Sequence, residues 1–390
     1  MKITNIPIYI HIPFCEKKCN YCDFPSFANQ NERYINIYLE CLENELKELN
    51  RISSLIQAKT IYIGGGTPTF LSETQLERLF IMLHKYIGIN DIEEFTVEMN
   101  PGSVSNDKLK ILKQNGINRI SLGVQSLNDR ELDVLGRIHN SNDVYRTIDL
   151  LVSNDFNNWN IDLMYGIPEQ TVDSWIDTLA HAIKFKPKHI STYNLKIEEN
   201  TKFYNLYQNK ELLLPDEENI ITMYQHTIDN LIKESYKHYE ISNFCIDGYQ
   251  SKHNLIYWDN YNYIGIGSSA WSFIGNIRYS NPTSIGSYIE TYKSESLSSS
   301  WHDVLSKKVE IIDCNLRCQM EDYIMLGLRK IEGISVADYK RRYLQSFEAN
   351  FSKQIEKLLA HDLMVRTNRG YKLTDKGVLL SNEVIEEFFE

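Results

Sequence analysis

Several things are missing from this 390-residue sequence. No apolar run approaches the roughly 18–20 residues that a membrane-spanning helix needs. No secretory leader is visible, because Lys2 precedes a short apolar stretch that carries Pro7 and His11 and ends in no small-residue cleavage site. Basic residues are in deficit: 41 Lys and Arg against 52 Asp and Glu leave a net charge of −11, which argues against a broad electrostatic grip on nucleic acid. These absences predict a cytoplasmic protein with no membrane span and no nucleic-acid partner. In that compartment seven cysteines do not read as a disulfide framework, and metal or catalytic ligands are the better expectation.

What is present is a rhythm. With 42% apolar residues the chain can bury sizeable cores, and its length suggests two or three domains. Up to about residue 235 a short apolar run, a turn signal and a helical stretch follow one another six times. The runs are 7–12, 59–63, 94–100, 119–125, 160–166 and 189–195, rich in Ile, Val, Tyr and Phe. Between them lie amphipathic segments. Ile37, Leu39, Leu42, Leu46 and Leu49 can line one helix face, and Ser72 with Gln75 three residues on forms a possible capping box. Strands alternating with helices predict an α/β fold with a parallel sheet and right-handed crossovers. Six units are too few for the closed eight-stranded barrel, so the expectation is an open, partial (β/α)6 barrel with its site at the carboxyl ends of the strands. The unusual polar and glycine residues fall there: Cys15–Cys22 after the first run, Gly64–Thr69 after the second, Glu98 and Asn100 at the third, Gln125 at the fourth, and Asp162 in the fifth.

After residue 236 the rhythm stops. Residues 236–299 are aromatic and glycine-rich and read as an extension completing the core, with a serine-rich linker around residue 300. Residues 300–390 read as a small helical, winged-helix-like domain with a hairpin turning at Asn368-Arg369-Gly370. Residues 301–390 hold 14 basic and 15 acidic side chains, so packing or docking is a better reading of that domain than DNA binding.

Cys41 and Cys245 read as small buried hydrophobes. Cys314 and Cys318 stand four apart and can share a helix face, but without a third cysteine or histidine beside them no metal is expected there. Cys15, Cys19 and Cys22 differ, packed into eight positions of a loop after a strand. Structural zinc takes four ligands, and no fourth cysteine or histidine follows closely, since position 24 is Phe24. Three thiolates suit a four-iron cluster with one iron left open, a variant of the usual four-cysteine ligation.

Cys-x3-Cys-x2-Cys after the first strand, with Tyr21 before the third cysteine and GGGTPT at Gly64–Thr69, resembles the signature of radical S-adenosylmethionine (SAM) proteins. The resemblance implies a radical SAM partial barrel, with Cys15, Cys19 and Cys22 holding a [4Fe–4S] cluster whose open iron takes the amino and carboxylate groups of SAM. Reductive cleavage of the sulfonium would then give methionine and a 5′-deoxyadenosyl radical. Around SAM, Gly65, Gly66 and Thr67 allow close backbone approach. Glu98 and Asp162 suit the ammonium or ribose hydroxyls, Arg137 the carboxylate, Gln125 the ribose or adenine, and Tyr9 and Tyr21 the walls.

YIHIPFC, EMNPGS, NIDLMYGIPEQT and YEISNF narrow the resemblance to the coproporphyrinogen III oxidase-like branch. Phe24 stands where the HemN-type dehydrogenases carry a further cysteine, and the long N-terminal extension of those enzymes is absent. CDF at Cys22–Phe24 and HNLIYW, with His253, Asn254, Tyr257 and Trp258, resemble HemW-type haem chaperones. The resemblance implies haem binding there, with a neutral imidazole as axial ligand and two flat aromatic faces. One stretch departs from the family: Ser269, Trp271 and Ser272 replace its glycine, histidine and second glycine after IGIG. The expected function is therefore binding of haem and transfer to an apo-haem protein, with a reductant for the cluster and a homodimer as further partners. An oxygen-independent coproporphyrinogen III oxidase and a HemN-like methyltransferase remain as alternatives, so radical SAM catalysis stays open.

Overall fold

The computed structural model describes residues 5–28, 30–53, 55–294 and 300–389. Six strands, β1 (Ile6–Ile12), β2 (Ile56–Gly65), β3 (Glu94–Met99), β4 (Arg119–Gln125), β5 (Trp159–Tyr165) and β6 (His189–Asn194), follow the six expected runs. They lie side by side in chain order, every neighbouring pair parallel. Helices α1 (Glu32–Ser53), α2 (Glu73–Tyr86), α3 (Asn106–Gln114), α4 (Ser141–Ser153) and α5 (Val172–Lys184) make the crossovers. Each apolar stripe turns onto the sheet to form one large core. On α1 the buried stripe runs through Ile35, Tyr38, Leu39, Leu42, Leu46 and Leu49, with Ile37 only half-buried. Ser72 closes the capping box at α2: its hydroxyl accepts from the Gln75 backbone N–H, and Gln75 accepts from that of Ser72.

The sheet is larger than six strands, because residues 237–266 extend both of its edges. After α6 (Glu217–Lys233), the hairpin β7 (Lys237–Glu240) and β8 (Asn243–Cys245) adds antiparallel to β6. Helix α7 (Lys252–Trp258) then carries the chain back to β9 (Ile264–Ile266), which pairs parallel with β1. A smaller antiparallel sheet follows, β10 (Trp271–Ile274), β11 (Ile277–Ser280) and β12 (Glu310–Asp313). The expected serine-rich linker falls largely on 295–299, outside the described residues.

The last segment opens with α8 (Leu316–Gly327) and has its own core, built on Tyr323, Ile324, Tyr339, Phe347 and Tyr371. A three-stranded sheet of Ile334–Ser335, Met364–Arg366 and Gly370–Leu373 packs with short helices, as a winged helix does. It is tied to the barrel by backbone bonds, Ile241 N–H to Arg329 O (3.0 Å) and Ile331 N–H to Tyr239 O (3.1 Å), and by the Arg278–Asp322 ion pair at 2.9 Å. Among the described residues no helix is long and apolar enough to cross a membrane.

Candidate functional site

A cavity of about 510 Å³ opens at the carboxyl ends of the parallel strands, where an α/β sheet places its ligands. The loop after β1 brings Cys15, Cys19 and Cys22 to its rim together. Each sulfur has a polar neighbour. Thr67 Oγ1 donates toward Cys15 Sγ at 3.7 Å, Arg137 Nη1 toward Cys19 Sγ at 3.5 Å, and Ser26 Oγ lies 4.0 Å from Cys22 Sγ. Burial raises the Cys15 thiol and pushes Cys22 up to about 11.

The glycines after β2 are shaped by this loop. A Cβ on Gly66 would lie 2.6 Å from the Phe14 carbonyl oxygen, and one on Gly65, at φ +115°, 2.6 Å from the His11 ring. Gly66 N–H donates to Ile12 O (2.9 Å) and Thr67 N–H to Phe14 O (2.8 Å), so the glycine turn and the cysteine strand are zipped backbone to backbone.

The expected polar residues line the same space. Glu98 Oε1 accepts from the Tyr62 hydroxyl (2.7 Å) and Oε2 from Gly65 N–H (3.0 Å); burial pushes its carboxyl up to about 7. Asp162 accepts from Ser121 Oγ (3.1 Å) and Asn160 Nδ2 (2.7 Å), and burial raises it above the usual carboxylate range. Gln125 reaches the cavity from a left-handed backbone, φ +67°. Tyr21 lines it beside Arg137 and packs against the apolar group of Leu135, Met164, Ile167 and Phe203.

Arg137 and Tyr9 differ in where they lie. Arg137 lines the cavity and also braces the cysteine loop: besides Cys19, its Nη2 donates to Asn100 Oδ1 (2.6 Å) and Gly123 O (2.7 Å). Tyr9 lies outside the cavity lining, stacked on Tyr62 with its hydroxyl 2.8 Å from His11 Nδ1. Asn100 is the residue the sequence undervalued. Its Nδ2 donates to Thr67 Oγ1 (2.8 Å), so it joins the glycine turn to Arg137; its place before Pro101 at a strand end was the available signal.

The HNLIYW segment is helix α7, and it does not present its four residues to one ligand. Its amino end is capped by Glu94, which accepts from Lys252 N–H (2.8 Å) and His253 N–H (3.1 Å). Asn254 reaches the cavity. His253, the expected axial ligand, has a fully buried ring here, with Nδ1 2.8 Å from Thr60 Oγ1 and Nε2 2.8 Å from the Tyr257 hydroxyl. With both nitrogens bonded, neither is presented to a metal. Tyr257 is spent on His253 and packs edge-on against Tyr263. Trp258 is half-buried under Arg329, its indole N–H buried without a partner among the described residues. The departing stretch Ser268–Phe273 lies away from the cavity; Trp271 stands on β10, and Ser272 Oγ accepts from Gly265 N–H at 2.9 Å.

The residues fit a three-thiolate cluster and a polar ligand beside it. The three sulfurs share one rim with a cation and hydroxyls to support thiolate charge, and the glycine turn keeps the adjoining wall free of side chains.

The radical SAM superfamily model matches residues 9–182, and the HemN C-terminal domain model residues 316–380. Heme chaperone HemW of Lactococcus lactis is 38% identical over 97% of this chain and 96% of its own length. Heme chaperone HemW of Bacillus subtilis is also 38% identical, over 97% and 98%. Among solved structures, coproporphyrinogen III oxidase HemN from Escherichia coli superposes with a TM-score of 0.84, covering 99% of this chain and 90% of that one, at 22% identity, and so shares the fold. A full-length match at this identity is decisive: the chain belongs to the HemW family of the radical SAM superfamily.

Proposed function

We propose that this protein is a haem chaperone, which binds haem and passes it to apo-haem proteins, and which carries a [4Fe–4S] cluster and SAM in the strand-end cavity. The observation that carries the reading is likeness to heme chaperones along 97% of the chain, together with three thiols at the rim of that cavity. Cys15, Cys19 and Cys22 would hold the cluster. Glu98, Asp162, Gln125 and the Gly65–Thr67 turn would hold SAM, whose cleavage the reduced cluster can drive. Arg137, Asn100 and Thr67 act on the protein side by fixing the cysteine loop and offering N–H and O–H donors to sulfur.

The haem acceptor, a reductant for the cluster, a homodimeric state and a cytoplasmic location belong to this proposal. Phe24, 59% exposed at the cavity rim, offers no thiol where the dehydrogenase has its further cysteine, which disfavours the oxidase reading. The test is an anaerobic haem titration of the cluster-loaded protein, followed by mixing with an apo-haem acceptor. A saturable Soret change near one haem per chain, followed by loss of haem to the acceptor, is expected. Absence of that change, with carbon dioxide released from coproporphyrinogen or S-adenosylhomocysteine formed from SAM, would overturn it in favour of an enzyme.

A further inference from the structure

Two cysteines that the cluster does not use meet a carboxylate. Cys314 ends the strand connection, just before Asn315, the N-cap of α8. Asn315 Oδ1 accepts from Cys318 N–H at 3.0 Å, which fixes the first turn of the helix. Asp322 lies one turn further on. The ligand atoms of Cys314, Cys318 and Asp322 all lie within 4.8 Å of one another, and Cys318 Sγ is 4.0 Å from Asp322 Oδ2. None of the three lines the strand-end cavity.

We propose that Cys314, Cys318 and Asp322 form a second metal site, for one thiophilic divalent cation of the zinc class, with its fourth position open to water. Zinc–sulfur bonds of about 2.3 Å and zinc–oxygen bonds of about 2.0–2.2 Å in a tetrahedron put neighbouring ligand atoms roughly 3.5–3.8 Å apart. Side-chain rotation closes the remaining gap. Charge favours the site as well. Two thiolates and a carboxylate carry three negative charges; a divalent cation offsets two, and Arg278, with Nη2 2.9 Å from Asp322 Oδ2, offsets the third. Among the described residues Oδ1 of Asp322 takes no hydrogen bond, so the carboxylate keeps an oxygen free beside the Arg278 pair. Cys314 is fully buried and Cys318 half-buried, so solvent reaches the group at Cys318. Cys314 directly follows β12 and Cys318 and Asp322 lie on α8, so a bound ion would fix the start of α8 against the end of β12.

The site stands independently of haem, and its test does not involve haem. The full-length, cluster-loaded protein, with Cys15, Cys19 and Cys22 occupied, is titrated anaerobically with Co2+ under a phosphine reductant. One equivalent with thiolate-to-cobalt charge-transfer bands and strong tetrahedral d–d bands is expected, bleached by Zn2+. Cys318→Ser, at a half-buried position, should weaken binding more than the roughly 10–100-fold that loss of an outer partner costs. Asp322→Asn should keep the charge-transfer bands but bind more weakly, and Cys41→Ala should bind as wild type does. Absence of charge-transfer bands, their survival in Cys314→Ser/Cys318→Ser, or air oxidation to a Cys314–Cys318 disulfide that Zn2+ does not slow would each overturn the site.

Discussion

Nε2 of His253 stands 2.8 Å from the hydroxyl of Tyr257, one turn further along α7, while Nδ1 stands 2.8 Å from the hydroxyl of Thr60 on β2. The imidazole clamps helix to sheet through both of its nitrogens. Burial keeps it neutral, lowering its pKa to about 3 from the ordinary 6.5. As pH falls the unfolded chain takes the proton first, so the clamp's contribution is whole above about pH 6.5 and lost progressively toward pH 3. His253→Gln should lower the melting temperature by a few degrees at neutral pH and flatten the loss of stability below pH 6.5. The haem-loaded variant should keep the wild-type Soret position. A shifted axial-ligand signature would mean that haem pulls the ring out of its clamp.

The strand-end residues were legible because each barrel strand is a short apolar run that ends in a polar or glycine signal; Gly65, Glu98, Gln125 and Asp162 needed no tertiary knowledge. The direction of a side chain was another matter. Arg137 looks free in sequence, and only the loop packed against it shows that Cys19, Asn100 and Gly123 claim its guanidinium. His253 looked like a ligand because a motif records residue types, while the Thr60 that occupies its other nitrogen comes from 193 positions away. Strand β9 was invisible for a similar reason: three residues, one of them Gly265, carry no period, and the pairing with β1 defines it. Asp322, which completes the Cys314–Cys318 group, sits one helical turn beyond Cys318, and a lone helical carboxylate carries no sequence mark that separates a ligand from a surface charge.

Arg137→Met separates bracing from ligation. It leaves all three thiols in place but removes the N–H donor to Cys19 and leaves Asn100 Oδ1 and Gly123 O without that partner. About 1–3 kcal/mol of stability should be lost. The reconstituted cluster should titrate at a more negative potential, because a cationic donor near sulfur favours the more electron-rich state. A redox titration followed by electron paramagnetic resonance reads this; an unchanged potential would reduce Arg137 to a purely structural part.

Gly66→Ala addresses the zipped turn. Its Cβ would meet Phe14 backbone 2.6 Å away, and backbone cannot swing aside as a side chain does. A loss of about 1–3 kcal/mol and a fall in cluster occupancy are expected, since Phe14 leads directly into Cys15. Gly286→Ala is the control: its nearest neighbour would be Ser284 Oγ at 3.9 Å, so the helix 285–292 should tolerate it. Iron content and unfolding of the two variants side by side decide whether the effect belongs to the turn.

Glu98 sets an opposite pH trend to His253. Its carboxyl rises from 4.5 to about 7, chiefly through burial. The folded protein then holds a proton that the unfolded chain has released, so the stabilising contribution is full below about pH 4.5 and is lost as pH rises through 7. The group is only half-buried at the cavity wall, which limits the effect to roughly 1–3 kcal/mol. Without SAM, Glu98→Gln should be less sensitive to pH between 5 and 8 than wild type, yet bind SAM more weakly at pH 8. Thermal unfolding across that range, with calorimetric SAM titration, tests both; equal SAM affinity would remove Glu98 from the binding set.

Glu45 and Lys308 hold the extension to α1 through an ion pair sealed from solvent, at 3.0 Å with the side chains 1% and 2% exposed. Glu45 also accepts from Gly267 N–H (2.9 Å) and the Tyr288 hydroxyl (2.7 Å), and Lys308 donates to the Tyr292 hydroxyl (2.9 Å). Removing one partner strands a buried charge, so Lys308→Met should cost about 3–5 kcal/mol. Glu45→Gln keeps an acceptor for Tyr288 but leaves the ammonium without its counter-charge. The double variant removes both charges and should cost less than the sum of the singles, because the penalty of each single is the unpaired charge left behind. A denaturant-unfolding cycle measures that coupling. Additive losses would mean that the neighbouring hydroxyls, rather than the ion pair, fasten β9 and the helix 285–292 to α1.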